Sequence, residues 1–557
     1  MSNDSETDLD HERLLKPELD PVSDMNDAED SQRTDFYKPE LDKVQRRLGS
    51  THIQMLAIAS VIGTGLFLAI GKTLSYTGPL GLLIVFAHVG TVAFASLASV
   101  SEMTAFAPVS GSFSHFAARW VDPALGFAVG WNYFYACAIT LPAEISAAAV
   151  LVRFWDKDSS HMAAYISLFV VMVFIVNLFG ARAFANTEIV FSALKLSLIA
   201  GLIIGGLIID LGGGPDQTSH GFEYWRDPGP MVSSLEPGAA GRFLGLLLAT
   251  TPAAFSMGGM EIITVAAAET KNPRKNIVTA MKTVFFRIFF CYILTAFVIG
   301  LLIPSNDPEL LSVHEGSGQS PFVLAFHRAG VKVLPSIINA VVLSSAFSSA
   351  NGMLYSSSRL LYALALQGQA PKWFATVTAS GLPLRATLVA GSFSVLAFLN
   401  VQTEAGTVFS WFLSLSTVGG LLNWLMIGVS YLAFYNGLKA QGMEGELRGI
   451  YRSRFQPYAA IWTITWSTFF ILVSGLSTIW TGSTSDFVAA YINLPIFAGL
   501  YFGWKIYKGT SIVSFSEMDF TTVVPHFQGI PAMRDMDSED TSDMGPAANT
   551  WRMTELR

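Results

Sequence analysis

Twelve separate stretches of this 557-residue sequence are apolar over about twenty residues each. A helix needs about 20 residues to cross a hydrocarbon core of about 30 Å, so each stretch predicts one membrane-spanning helix. Inside lipid, backbone N–H and C=O groups must be paired within the protein, which leaves helices as the simplest spanning structure. The sequence therefore predicts an all-α integral membrane protein with twelve transmembrane helices. The stretches lie near residues 53–71, 81–107, 124–152, 163–180, 187–210, 242–268, 285–304, 333–362, 385–402, 407–435, 458–480 and 486–507.

The excess negative charge of the chain is concentrated near its beginning. Apolar residues make up 51% of the chain, charged residues make up 14%, and the net charge is −8. Much of the acid lies between Asp4 and Glu40, in a segment that holds too few large apolar side chains to fold alone. We therefore expect a disordered tail at residues 1–45, a transmembrane domain at residues 46–508 and a second tail at residues 509–557.

Both tails are expected in the cytoplasm. An even number of spans places the two ends of the chain on one side, and basic residues favour the cytoplasmic side. The loops on the side of the tails are rich in basic residues, namely Lys43, Arg46, Arg47, Arg119, Arg182, Lys271, Arg274, Lys275, Lys372, Lys439, Arg448, Arg452, Arg454, Lys505 and Lys508. The opposite side holds chiefly Lys72, Arg153, Lys157, Arg226 and Arg328.

A long, glycine-rich loop at residues 211–241 divides the spans into two units. Repeat one covers about 53–210 and repeat two covers about 242–435, with five spans each, while two extra helices occupy about 458–507. Because each unit has an odd number of spans, the two units must have opposite orientations in the membrane. This arrangement predicts an inverted repeat with two appended helices.

The first helix of each unit contains its own breaking residues. Gly63-Thr64-Gly65 interrupts the first span, and Phe255-Ser256 followed by Gly258-Gly259 interrupts the sixth. Broken helices at matching places in two repeats indicate the binding site of a transporter. The amides freed at residues 63–65 would suit a carboxylate, and the carbonyls freed at residues 256–258 would suit an ammonium group. The alternative is that these glycines only allow helices to pack closely.

Glu102, Glu144, Lys195 and Glu261 are charged residues that lie inside apolar runs. Ionisable residues at membrane depth are functional candidates by default. A buried lysine loses its proton more readily than an exposed one, so Lys195 could release and rebind a proton during transport. Alternatively, Lys195 extends to one membrane face or pairs structurally with a glutamate. Glu102 lies near the end of its span, where we favour a structural role.

Other classes of function have little support in the sequence. Cys137 and Cys291 both lie in apolar runs, which excludes a disulfide framework and a cysteine-based zinc site. The histidines do not show a metal-ligand spacing, and the chain lacks a Walker loop, a dinucleotide fingerprint and a G-x-S-x-G motif. We therefore expect neither an enzyme nor an ATP-driven pump, and no metal, cofactor or nucleic-acid partner.

Five segments of the chain resemble the fungal amino-acid permeases of the amino acid–polyamine–organocation superfamily. They are Ile-Gly-Thr-Gly-Leu-Phe at 62–67, Ser-Glu-Met at 101–103 with Pro-Val-Ser-Gly at 108–111, Val-Asp-Pro-Ala-Leu-Gly-Phe at 121–127 with Leu-Pro-Ala-Glu at 141–144, Phe-Ser at 255–256 with Glu261 and Asn-Pro-Arg-Lys at 272–275, and Ile-Asn-Ala at 338–340 with Ser-Arg at 358–359. The resemblance runs from about Arg46 to Lys508. It implies the five-plus-five inverted-repeat (LeuT-like) fold with broken helices 1 and 6.

The same resemblance implies roles for individual residues. Substrate binding is implied for Ile62, Gly63, Thr64, Gly65, Phe255, Ser256, Gly258, Glu144, Ser410 and Trp411, and proton coupling for Lys195 and Glu261. The backbone at Thr64 and Gly65 would hold the substrate carboxylate, and the backbone at Ser256 and Gly258 would hold its amine. Phe255 would be an aromatic gate, and Glu144 with the tenth-span face around Ser410 and Trp411 would tune the choice of side chain.

The resemblance implies a secondary active symporter that imports amino acids with protons across the plasma membrane. The two helix breaks would bind the α-carboxylate and the α-amine that amino acids share. We therefore expect neutral L-amino acids as substrates. Two alternatives stay open: a transporter of another amine-bearing solute, such as a polyamine, carnitine or a basic amino acid, and a transporter-like receptor that senses amino acids. The expected partners are the amino acid, protons, the lipid bilayer and a ubiquitin ligase acting on the cytoplasmic tail at Lys16, Lys38 or Lys43.

Overall fold

The computed structural model describes residues 54–55, 62–109, 112–215, 217–265, 273–311, 320–402, 405–444 and 451–520. The expected amino-terminal tail, its three lysines and the last part of the carboxyl-terminal tail lie outside the described residues. Within these ranges the regular structure is helical, apart from one isolated antiparallel bridge between Leu211 and Ser219.

Eleven helices in the described part of the chain are long and apolar enough to cross a membrane. They are Gly65–Phe106, Pro123–Val152, Ser159–Leu178, Ala181–Asp210, Gly238–Val265, Thr279–Leu302, Leu334–Leu366, Leu384–Val401, Gly406–Ala440, Tyr458–Thr481 and Thr484–Lys508. Shorter helices connect them at Ser112–Trp120, Glu223–Arg226, Pro308–Leu311, Pro321–Arg328 and Lys372–Ala375. From the second helix of this series onward, each matches one predicted span, numbered third to twelfth below.

The helix Gly65–Phe106 contains the last part of the first predicted span and nearly all of the second. Its 42 residues would extend about 63 Å, twice the thickness of the hydrocarbon core. A kink divides it at Gly78, which has φ 74° and ψ 176° and is followed by Pro79. Glycine adopts this positive φ without strain, and proline is well suited to the first turn of the helix that follows. The kink therefore marks the boundary between the two spans, as the sequence predicts.

The third span, Pro123–Val152, lies at the centre of the bundle. It packs chiefly against the eighth and tenth spans, and 83% of its most apolar stretch is buried within the protein, compared with 17% for the twelfth span. An apolar helix that is buried on all sides belongs to the core, whereas the exposed apolar faces of peripheral helices are suited to lipid. Residues of the third span are therefore positioned to contact both repeats.

Residues 510–520 pack against the transmembrane bundle after the last helix ends. The Val513 amide donates to the Val121 carbonyl at 2.9 Å, and the Asp519 carbonyl accepts from Arg119 Nε at 2.8 Å and from Trp120 Nε1 at 3.2 Å. Phe520 is buried and its ring contacts those of Phe106, Trp120 and Phe434. The folded region thus extends past the predicted boundary at Lys508.

Candidate functional site

The first span is broken at Ile62 and Gly63, and a half-helix begins at Thr64. The first turn of this half-helix is the π-helical segment Gly65–Ala69. The unwound backbone is held by the eighth span, because Ser345 Oγ donates to the Ile62 carbonyl at 2.9 Å. The amide at the start of the half-helix points toward the third span, where it meets a side chain carboxylate.

That carboxylate belongs to Glu144, whose side chain is 3% exposed. Its Oε2 accepts from the Thr64 amide at 3.3 Å and from Thr64 Oγ1 at 2.9 Å, while its Oε1 accepts from Ser349 Oγ at 3.0 Å. The amino-terminal end of a helix stabilises an anion through its free amides and its dipole. Glu144 therefore occupies the position that the sequence predicts for the carboxylate of a substrate.

The sixth span is broken two residues after Ser256. Its first helix ends at Met257, Gly258 is extended (φ −61°, ψ 156°), Gly259 has φ 79°, and a short helix resumes at Ile262–Val265. A positive φ is readily adopted by glycine, so Gly259 fits this turn. The predicted interruption of the sixth span is confirmed.

Two carbonyl groups at this break already have partners. Tyr292 Oη donates to the Ser256 carbonyl at 2.8 Å, and the Gly258 amide donates to the Phe255 carbonyl at 3.2 Å. Tyr292 lies in the π-helical segment Ile288–Ile293 of the seventh span, a distortion that often accompanies functional sites. The Ser256 carbonyl, predicted to hold the substrate amine, is thus bonded to Tyr292 in this state.

The two breaks contact each other directly. A Cβ atom added to Gly65 would lie 2.6 Å from Ser256 Cα, and one added to Gly63 would lie 2.3 Å from Glu144 Oε1. Both separations are far below a normal van der Waals contact; at Gly65 the obstacle is backbone, so only glycine fits there, whereas at Gly63 the Glu144 side chain would have to move. The alternative interpretation, that these glycines allow close packing, therefore applies to Gly63 and Gly65. It does not replace the break, because the first span is also unwound at this point.

A cavity lies between the breaks and is lined by residues of both. Its wall brings together Gly63, Gly65, Glu144, Phe255, Ser256, Gly258 and Glu261 from the predicted site, and adds Tyr133, Ala136, Cys137, Thr140, Ala254, Gly259, Ile262, Ser349, Met353, Ser416, Thr417, Gly420, Leu421 and Trp424. Among the described residues of this wall, the ionisable side chains are the carboxylates of Glu144 and Glu261 and the weak acids Tyr133 and Cys137, with no basic side chain. Glu261 accepts from Trp424 Nε1 at 3.3 Å. Ile62 and Thr64 are buried beside the cavity.

The tenth span lines the cavity at a different level from the predicted one. Ser410 and Trp411 are absent from the wall, and Trp411 Nε1 instead donates to Asp486 Oδ1 of the twelfth span at 3.0 Å. The residues that do line it, such as Thr417 and Gly420, lie about two turns further along the helix. Phe409, the residue before Ser410, contacts a residue of the cavity wall: its ring centroid lies 6.1 Å from that of Phe255.

Lys195 lies outside the cavity wall and is completely buried, with 0% exposure. Its Nζ donates to Ser348 Oγ at 2.9 Å and lies 3.9 Å from Glu188 Oε1. Ser348 Oγ in turn donates to Glu188 Oε2 at 2.7 Å. Of the predicted alternatives, extension to a membrane face is excluded and pairing with a glutamate is observed, although that glutamate was not among the candidates.

Glu188 was missed although the sequence contained a signal for it. It lies seven residues before Lys195 in the same apolar run, which places both side chains on one helix face about two turns apart.

Glu102 accepts hydrogen bonds at both of its carboxylate oxygens, from Tyr431 Oη at 2.7 Å and from the Ser453 amide at 3.0 Å. These contacts support the structural role that the sequence favours for Glu102.

Comparison with known proteins identifies the family. The family model described as amino acid permease matches residues 52–516. The chain belongs to the amino acid permease family. It is 37% identical to a proline-specific permease of Emericella nidulans over 86% of this chain and 88% of that protein. It is 35% identical to a dicarboxylic amino acid permease of Saccharomyces cerevisiae over 87% of this chain and 81% of that protein.

A further relative agrees with this membership, and a solved structure shows the same fold. A lysine-specific permease of Saccharomyces cerevisiae is 36% identical over 88% of this chain and 80% of that protein. The crystal structure of an Eremococcus coleocola manganese transporter in complex with an aromatic bis-isothiourea substituted compound superposes with a TM-score of 0.54, at 13% identity, over 85% of this chain and 98% of that one. The permease is therefore a multi-pass membrane transporter with the five-plus-five inverted-repeat fold, as the sequence predicts, and it is not an enzyme.

Proposed function

We propose that this permease imports neutral L-amino acids together with protons across the plasma membrane. The observation that supports this function best is the position of Glu144 at the start of the broken first span, on the wall of a cavity bounded by both breaks. An ionised Glu144 and a substrate carboxylate compete for the same Thr64 amide. A proton on Glu144 removes its negative charge and frees this amide, so substrate binding and protonation favour each other.

The remaining polar groups suit the amine of an amino acid. Glu261 places a second carboxylate on the cavity wall, which Ser256 and Gly258 of the sixth-span break also line. A substrate whose side chain is itself a carboxylate would add a further negative charge and would be repelled. Apolar side chains such as Met353 and Leu421 also line the cavity and would suit a neutral substrate side chain.

The two cavity carboxylates also favour a second candidate, a solute that carries an additional positive charge. A basic amino acid or a polyamine would be attracted to the same charges. The named relatives include proline-specific, dicarboxylic amino acid and lysine-specific permeases, so kinship supports amino acids as a class and does not select one side chain. A receptor that binds amino acids without moving them is the third candidate.

The location of the protein follows from the same proposal. The basic residues of the loops support cytoplasmic tails, and an importer of nutrients acts at the plasma membrane. A ubiquitin ligase acting on the amino-terminal lysines would remove the permease from that membrane.

Uptake by purified protein in liposomes tests this function. Labelled neutral, acidic and basic amino acids, polyamines and carnitine are supplied with and without an inward proton gradient. We expect neutral amino acids to accumulate only with the gradient. Accumulation of a cationic solute instead would support the second candidate, and saturable binding without accumulation by folded protein would support the receptor.

Cys137 provides an independent test of where the substrate binds. The sequence has two cysteines, and Cys137 lines the cavity whereas Cys291 does not. In a Cys291→Ala protein, we expect a small methanethiosulfonate reagent to modify Cys137 and to inhibit uptake. The transported amino acid at ten times its Kd should slow this modification about tenfold, because the free site becomes that much rarer.

The rate of modification is measured by intact mass, with the double variant that lacks both cysteines as the blank. A reaction at Cys137 whose rate does not change when the transported amino acid is present would place the substrate elsewhere.

A further inference from the structure

A buried cluster of two carboxylates and one ammonium group begins at Glu144 on the cavity wall and includes Glu188 and Lys195 outside that wall. Glu144, Glu188 and Lys195 are 3%, 2% and 0% exposed, respectively. When all three are ionised the cluster has a net charge of −1, and when one carboxylate holds a proton the cluster is neutral. Because a buried charge without a partner is strongly destabilising, a single proton decides whether this region is electrostatically balanced.

Two adjacent serines of the eighth span join the members of this cluster. Ser348 Oγ accepts from Lys195 Nζ and donates to Glu188 Oε2, whereas Ser349 Oγ donates to Glu144 Oε1 at the cavity. The Lys195–Glu188 pair and the Glu144–Thr64 contact therefore share one rigid helix segment. A change in the charge of the Lys195–Glu188 pair would therefore change the electrostatic environment of Glu144 at the start of the broken first span.

Few other ionisable groups surround Glu188. On its own helix the partner is Lys195, while Arg182 and Asp210 lie at the two ends of that helix, and the third span contributes Glu144. The eighth span has Tyr355 and Arg359 roughly two and three turns beyond Ser348. The segment Leu294–Leu302 of the seventh span has no ionisable side chain, and in the fourth-span helix Met162–Leu178 the only one is Tyr165, near its start. Glu188 and Lys195 thus form an enclosed pair.

We propose that Glu188 is the partner through which Lys195 couples transport to the proton gradient, with Ser348 holding the two groups in register. This inference rests on the proposed function as a proton symporter. A proton from the outer solution forms an O–H bond with one carboxylate of the cluster and balances its charge while substrate binds. The O–H bond breaks on the inner side, where the proton leaves to water and the cluster returns to its ionised form.

The decisive variant is Glu188→Gln. With a neutral amide at this position, Glu144 and Lys195 balance each other without any proton. We expect the variant to equilibrate the amino acid across the liposome membrane and to exchange labelled for unlabelled substrate. Accumulation driven by an inward proton gradient should fall to a ratio of about one, and uptake should lose its dependence on external pH. Wild-type accumulation and pH dependence in Glu188→Gln would overturn the inference.

Two further variants separate coupling from stability. Glu102→Gln changes another buried glutamate, bonded to Tyr431 and Ser453, and should keep gradient-driven accumulation. Glu188→Asp keeps an acid but shortens its reach to Lys195, so the pH midpoint of uptake should move by about half a unit or more. If Glu188→Gln does not fold, an unchanged midpoint in Glu188→Asp overturns the inference. Absence of gradient-driven uptake in the wild type would instead refute the proposed symport itself.

Discussion

Replacing Gly65 with valine is expected to abolish amino acid uptake. A Cβ at this position would lie 2.6 Å from Ser256 Cα and 3.1 Å from both the amide nitrogen and Oγ of Ser256. These are largely backbone atoms of the other broken helix, which cannot rotate away as a flexible side chain can. The two breaks would be forced apart, and the cavity between them would lose its shape. Because the Cβ itself clashes, Gly65→Ala should also be strongly impaired.

Gly201→Val is the matched control for this prediction. Gly201 lies in the fifth span, is exposed at the protein surface, and has no heavy atom within 4 Å of an added Cβ. Uptake is measured in liposomes after size-exclusion chromatography has shown each variant to be folded. Normal uptake by folded Gly65→Val would contradict the close contact between the breaks and the site built upon it.

Replacing Lys195 with methionine is expected to abolish proton-driven accumulation while substrate binding stays detectable. The variant leaves Glu144 and Glu188 buried without their cation, and buried carboxylates without a partner retain protons on both sides of the membrane. For a symporter that moves one proton per substrate, a gradient of one pH unit supports up to about tenfold accumulation. This ratio should fall to about one in Lys195→Met.

The matched control is Lys505→Met. Lys505 also pairs with a carboxylate, that of Asp122, but this pair lies at the start of the third span and on the peripheral twelfth span. We expect Lys505→Met to retain accumulation. An unchanged pH dependence of uptake in Lys195→Met would remove Lys195 from the coupling mechanism, and with it the proposed role of Glu188.

The transmembrane organisation could be predicted from local sequence. The need for about 20 apolar residues per span is set by bilayer thickness, so the twelve stretches were identified without knowledge of their neighbours. The break at residues 255–261 was equally local, because glycine pairs destabilise a helix wherever they occur. The same segments showed the resemblance to amino acid permeases, which the comparisons confirm.

The contacts of the site were decided by helix rotation and register. The fifth and tenth spans are rich in apolar residues on every face, so their sequences do not reveal which side faces the cavity. The resemblance implies Ser410 and Trp411 on the tenth span, and the apolar pattern of that span offers no means of moving the prediction about two turns to Thr417 and Gly420, which line the cavity. For the same reason the sequence did not indicate Tyr292 of the seventh span, whose hydroxyl donates a hydrogen bond to the Ser256 carbonyl.

The sequence by itself determined the spans, the breaks, the family and the identity of most charged residues in the membrane. Only the tertiary structure decided how those charges are paired. Glu144 reaches Thr64 across 80 positions of the chain, and Ser348 reaches Lys195 across 153. The physical reason is that a span's apolar length is a property of one segment, whereas the balance of a buried charge depends on which helices pack around it.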